Sequence, residues 1–168
     1  MKVLAVADRD TLMTTMLQCR RKGGSDRYVL LGALRFIANL GMTELTLQSD
    51  GEPAILAVQR LVAKELREKH GIKVHMRTSP RHSHASAALV ESMVRHARAQ
   101  YRTLRHNLER MTGGQIETTS DLHPWMVRHA PWLQNRFQPR VNEQSSYFAV
   151  HGREYRTPMI PVRRSCHV

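Results

Sequence analysis

The chain has 168 residues, a net charge of +12 and a pI near 10.8, with 41% apolar residues. That length suits one domain with a real core, and the charge makes an anionic polymer the leading class of partner. No apolar run approaches the ~18 to 20 residues of a membrane span, and Met1 to Asp8 turns acidic too early for a signal peptide. An intracellular protein, with the nucleus among its expected locations and no membrane partner, is therefore expected. Cys19 and Cys166 form no CxxC pair or disulfide framework, and the ten histidines, His82 and His84 included, lack the spacing of a structural zinc site.

Val3 to Ala7 reads as a buried strand, and Leu12 to Leu17 as a second after the Asp8-Arg9-Asp10 turn. Asp26 can cap a helix whose face is Leu30, Ala33, Leu34, Ile37 and Leu40 and which stops at Gly41. Leu45 and Leu47 then alternate with polar residues in a strand that delivers Asp50 onto Gly51. Pro53 suits the first turn of the next helix, which runs to about His70 before Gly71. Ile72 to Met76 alternates as another strand, broken at Thr78-Ser79-Pro80.

The longest element is predicted from His84 to Thr112, with an apolar seam at Val90, Val94, Ala97, Tyr101, Leu104, Leu108 and Met111. Arg95, Arg98, Arg102 and Arg105 run beside that seam, and Glu91 sits at its edge near the helix start. A final helix is expected from Leu122 to Phe137, kinked or split at Pro131, with Trp125, Leu133 and Phe137 as core candidates. The tail from Tyr155 to Arg164 contains two prolines and reads as extended.

The basic residues are unevenly distributed. Residues 1–76 carry 12 basic and 8 acidic side chains, residues 77–168 carry 14 and 6, and all 14 of those bases are Arg. Arg forks phosphate oxygens and stacks on bases, so the second part is the expected nucleic-acid track. Local sequence alone also allows a plainer reading, in which Asp50 caps a helix and the arginines are a solvated face.

The stretch LQSDGEPAI, followed by VHMRTSPRHSHASAALVESMVRHARAQYRTL, resembles the catalytic core of retroviral and retrotransposon integrases. There a strand ends in an acid, a loop with Pro follows the next strand, and a helix begins with small residues and then a Glu. RTLRHNLE and YFAVHGREYRTPMIPV are similar to the region after the core in copia-like elements. The resemblance implies an α/β, ribonuclease-H-like mixed sheet flanked by helices, with residues 1–115 as the core and 116–168 as a C-terminal helix and tail of the same domain. It implies DNA integration by phosphoryl transfer with Mg²⁺ or Mn²⁺, with Asp50 and Glu91 as the second and third carboxylates and as metal ligands. Arg77, Arg81, His84, Arg95, Arg98 and Arg102 are then the residues expected to hold DNA, or RNA, and a homo-oligomer is possible.

The match has two departures. If Val3 to Ala7 is the family's second strand, the chain lacks the first strand and its Asp, Asp8 is a turn residue, and the chain is catalytically incomplete. The sheet would then keep two facing edges of unpaired backbone. In the alternative register Val3 to Asp8 is the first strand and Asp8 the first acid. Residues Ser83 to Ala88 also lack the Asn or Gln and the Gly that family members carry before the Glu. The reading from another class is a non-catalytic basic nucleic-acid-binding module derived from such a core.

Overall fold

The computed structural model describes residues 2–20, 23–78, 84–117, 119–140 and 143–158, with side chains in the third stretch described from Ala88 onward. Among these residues the fold is mixed α/β, with two small sheets and five helices. Strand β1 (Lys2–Ala7) pairs antiparallel with β2 (Thr14–Cys19), in the register Lys2 to Cys19 through Ala7 to Thr14. Strand β2 starts two residues later than the sequence suggests because the turn is longer. The Asp8 carboxylate accepts from the Thr11 N–H at 2.9 Å, the Asp8 N–H donates to the Met13 carbonyl at 2.8 Å, and Leu12 takes a left-handed φ of 58°. Asp8 thus acts as a turn residue.

Helix α1 (Arg27–Ala38) begins where the Asp26 carboxylate accepts from the Val29 N–H, satisfying one orphan donor of the first turn. Its Gly32 lies over Leu17: a Cβ there would come within 2.7 Å of the Leu17 side chain, so a larger residue would push α1 off the sheet. Strand β3 (Glu44–Ser49) leads into α2 (Pro53–His70), which has Pro in its first turn and ends on Gly71 at φ 64°. Strand β4 (Lys73–Thr78) then pairs parallel with β3, from Glu44 opposite Lys73 to Ser49 opposite Thr78. No pairing joins β1–β2 to β3–β4 among the described residues.

The remaining elements are helical: α3 (His84–Thr112), α4 (Leu122–Phe137) and α5 (Ser146–His151). One core lies between the strands and α1 and α2. It is built on Leu17, Val29, Leu34, Ile37, Val62 and Leu66, and Leu4, Val6, Leu45 and Leu47 pack against it. A second core covers the opposite face of β1–β2, where Val3, Ala5 and Met16 meet Val94, Ala97 and Tyr101 of α3 and Val127 of α4.

One expectation about the helices needs correction. Helix α4 is not split: it runs continuously through Pro131, which is itself buried. Its buried stripe is His123, Met126, Val127, Ala130 and Pro131, whereas Trp125 and Phe137 are 40% and 44% exposed and Leu133 is only half-buried. The predicted apolar seam of α3 is the face that packs: Ala97 and Leu108 are buried, Val94 and Tyr101 pack against the same cores and Met93 joins them, while Val90 and Met111, at the seam's ends, are exposed. Only the middle of α3 is gripped from both sides, so the terminal positions of the stripe remain in solvent. Helix α5 was not evident in the sequence. It is six residues long and is capped by the Ser145 hydroxyl, which accepts from the Phe148 N–H at 3.1 Å.

Candidate nucleic-acid interface

Helix α3 presents its outer face to solvent because its inner face is committed to β1 and α4. Arg95, Arg98 and Arg102 follow one another at helical spacing on that outer side, all exposed, and none forms an ion pair among the described residues. With Val90, Glu91 and Val94 they line an open groove of about 420 Å³. Three guanidinium groups on one face can fork successive phosphates of a polyanion. Among the described residues the groove sets three guanidinium groups against one carboxylate, Glu91, so its lining is net positive.

Not every arginine is available for that role. Arg105 donates through Nε to Glu109 at 2.8 Å and through Nη2 to the Ile116 carbonyl at 3.3 Å, and Glu109 also accepts from the Ile116 N–H at 3.0 Å. This triangle holds the chain against α3 after the helix stops. That backbone N–H, and then the Arg105 guanidinium, hold the Glu109 carboxyl below its usual range. Arg140 donates to the Leu12 carbonyl and the Ser146 hydroxyl, each at 3.1 Å, and so ties α5 to the β1–β2 turn. Arg136 lies over Trp132, Tyr147 and Tyr155, with 4.1, 5.1 and 4.8 Å from its central carbon to the ring centroids. These arginines organise the fold. Their sequence context did not distinguish them from the exposed ones, because each depends on a partner on another element or beyond a helix end.

The two carboxylates implied by the integrase resemblance are both exposed. Asp50 stands in the turn between β3 and α2, where its Oδ1 accepts from the Glu52 N–H at 3.3 Å. That is the hydrogen bond of a turn-forming Asp just ahead of a helix. The carboxyl end of the parallel pair is fixed by Gln59, which is buried on α2 and donates to the Leu47 carbonyl at 2.6 Å and the Arg77 carbonyl at 3.3 Å. Asp50 and Arg77 therefore flank one rigid strand end, with the Arg77 side chain exposed. Glu91 belongs to α3, and no hydrogen bond among the described residues links it to Asp50. Arg81 and the side chain of His84 lie outside the described residues.

A two-metal centre needs several hard oxygen ligands converging within a few ångströms. Among the described residues, no three His, Cys, Asp or Glu side chains are grouped as a metal site. No described helix is long and apolar enough to cross a membrane. In comparisons with known proteins, no family model and no curated protein matches the chain.

Proposed function

We propose that the chain is a catalytically incomplete, integrase-core-like module that holds nucleic acid, DNA in the first place, along the outer face of α3. The observation that carries this reading is the row of exposed, unpaired Arg95, Arg98 and Arg102 in a chain of net charge +12. The order of elements supports the ribonuclease-H-like part of the reading: an antiparallel pair, a helix, a parallel β3–β4 pair crossed by α2, then a long helix with Glu91 near its start. In this reading Asp50 and Glu91 are the remaining carboxylates of a triad whose first acid is absent, Mg²⁺ or Mn²⁺ is held weakly, and the site of action is the nucleus or another intracellular compartment. A second reading, the non-catalytic basic module, is favoured by the exposed position of Asp50 and its turn hydrogen bond.

Binding is tested by fluorescence anisotropy on duplex DNA and on RNA across a salt series. Log affinity should fall linearly with log salt, and the triple change of Arg95, Arg98 and Arg102 to Ala should reduce the slope by ~0.9 for each arginine that contacts a DNA phosphate. An unchanged slope would mean that this face is only solvated surface. Strand transfer and end processing should be absent with either metal. Activity abolished equally by Asp8→Asn and Asp50→Asn would make Asp8 the first acid and overturn the incomplete-triad reading.

A further inference from the structure

The face of α4 opposite its buried stripe carries a column of flat groups. Trp125, His129, Trp132 and Arg136 recur at i, i+4, i+7 and i+11, a spacing that sets side chains one above the other along a helix. The Trp125 and His129 rings are 4.5 Å apart and inclined by only 16°, and those of His129 and Trp132 are 5.1 Å apart and inclined by 14°. The Arg136 guanidinium closes the inner end of the column, 4.1 Å from the Trp132 centroid.

The two ends of the column differ. At the inner end Trp132 also meets Phe137 and Tyr155 edge-on, at 61° and 82°, while Tyr147 of α5 and Tyr155 lie against Arg136. These edge-to-face contacts fasten the chain after α5 onto α4. At the other end Trp125 is 40% exposed, and among the described residues His129 is the only ring or guanidinium stacked on it. The outer face of the Trp125 indole is therefore unstacked. A lone exposed apolar side chain is ordinary, but this ring is the last layer of an ordered stack.

The charges around the column suit a flat ligand that carries negative charge. Helix α4 contains no Asp or Glu, and the nearest acid along the chain is Asp121, which precedes the helix. Arg128, three residues after Trp125, is exposed and has no ion pair or hydrogen bond among the described residues. Burial, and then the charge of Arg136, hold His129 below its ordinary value of 6.5, so the middle layer is a neutral ring at neutral pH. An aromatic side chain of a protein partner would fit the indole but gives Arg128 nothing to hold. A nucleobase brings a phosphate with it, and the chain as a whole carries +12.

We propose that the open face of Trp125 is a stacking site for an unpaired base of single-stranded nucleic acid, with Arg128 on the adjoining phosphate. Such stacking rests on the reading that the chain holds nucleic acid, and it names the form that α4 selects. Bases inside a duplex are stacked on both sides and offer no free face. The site therefore discriminates by strandedness, with little regard to sequence, because every base has a π-face. Stacking makes no use of the sugar, so DNA and RNA strands both fit.

The test titrates the full chain with oligoadenylates of about eight nucleotides, deoxy and ribo, with an abasic strand of the same length and with duplex DNA. The chain has only two tryptophans, Trp125 and Trp132, so its fluorescence reports on the column. Either oligoadenylate should quench it saturably. Trp125→Ala should remove most of the quenching and weaken single-strand binding about 5- to 100-fold, with duplex affinity unchanged. Trp125→Phe should keep most of the affinity, which separates stacking from a folding defect. The abasic strand should bind Trp125→Ala and the unaltered chain equally, and Arg128→Ala should lower the single-strand salt slope by ~0.7. The proposal is overturned, with the α3 reading intact, if Trp125→Ala leaves single-strand affinity unchanged or weakens duplex binding equally. It is also overturned if the abasic strand binds as tightly as oligoadenylate, or if self-association without any oligonucleotide quenches the indole. Failure of every strand and duplex to bind overturns the nucleic-acid reading itself, and the stacking site with it.

Discussion

The β1–β2 pair is covered on both faces and the β3–β4 pair on one. Leu17 faces α1 and α2, its neighbour Met16 faces α3 and α4, and both are almost fully buried. Along β3 the side chains instead alternate between half-buried and exposed, and the exposed set, Glu44, Thr46 and Gln48, is polar. The difference reflects sequence: a strand buried on both sides carries apolar residues at successive positions, a strand buried on one side carries them at every second position. Both halves feed the main core, in which Val62, Leu66, Ile72 and Val74 of the β3–β4 half join Leu17, but the β3–β4 half keeps an open polar face that ends at Asp50 and Arg77.

The sharpest way to break this comparison is to truncate equivalent leucines in the two halves. Leu17→Ala should cost about 3 to 5 kcal/mol, because the side chain is enclosed and Gly32 already sits against it, so collapse would require α1 to move. Leu47→Ala, in the half-buried row of β3, should cost about 1 to 2 kcal/mol. Urea denaturation with unchanged m-values measures both. Equal losses would show that β3 is as deeply embedded as β2.

The outer edges of the two strand pairs, on β2 and β4, give the next test. Asn135 is 4% exposed and serves both backbone groups of Thr14, so Asn135→Ala leaves a buried N–H and C=O without partners and should cost about 2 to 4 kcal/mol. Arg67 donates to the Val74 carbonyl on β4 from an exposed position where water can replace it, and Arg67→Ala should cost under about 1 kcal/mol. A small effect at Asn135 would mean that water already reaches the β2 edge.

Much of this organisation was legible in the sequence, and the limit was physical. Asp26, Pro53 and Gly71 act through their own backbone neighbourhood, so their effect on α1 and α2 could be read locally. The alternation of Leu45 and Leu47 similarly exposed the one-sided burial of β3. The phase of the buried stripe on α3 was legible too, since Val94, Ala97, Tyr101 and Leu108 all reach a core, but its extent was not, since Val90 and Met111 are exposed because of where the neighbouring elements make contact. Asn135 and Arg136 act on elements remote in sequence, so the covered β2 edge and the aromatic surround of α4 appear only in the fold. At the candidate site, the row of Arg95, Arg98 and Arg102 was visible from helical spacing alone. The separate structural use of Arg105, Arg136 and Arg140 was not, because an arginine's partner is set by tertiary contacts.

The smallest effects are expected from two carboxylates, one in each half, and they separate a hydrogen-bonded charge from a screened one. Glu109 is held below its ordinary value of 4.5 first by the Ile116 N–H and then by Arg105. Glu44, on the exposed face of β3, is lowered first by its hydrogen bond to His75 at 2.9 Å and then by Lys73 at 3.0 Å. A carboxyl whose folded pKa lies below its unfolded one contributes stability above the unfolded value and loses it as pH falls through the folded one. Both contributions should therefore be present above about pH 4.5 and fade below it. Glu109→Gln and Glu44→Gln should each lower the melting temperature at neutral pH, Glu109→Gln by more, with both differences vanishing in acid. Salt distinguishes them: at about 1 M, where the screening length is near 3 Å, the Glu44→Gln difference should disappear, since its partners lie across an exposed surface. The Glu109→Gln difference should persist, because an amide at that position replaces an ionised acceptor of a backbone N–H that salt does not screen. Equal loss of both differences at high salt would show that the Glu109 triangle is a surface ion pair and does not fasten the end of α3.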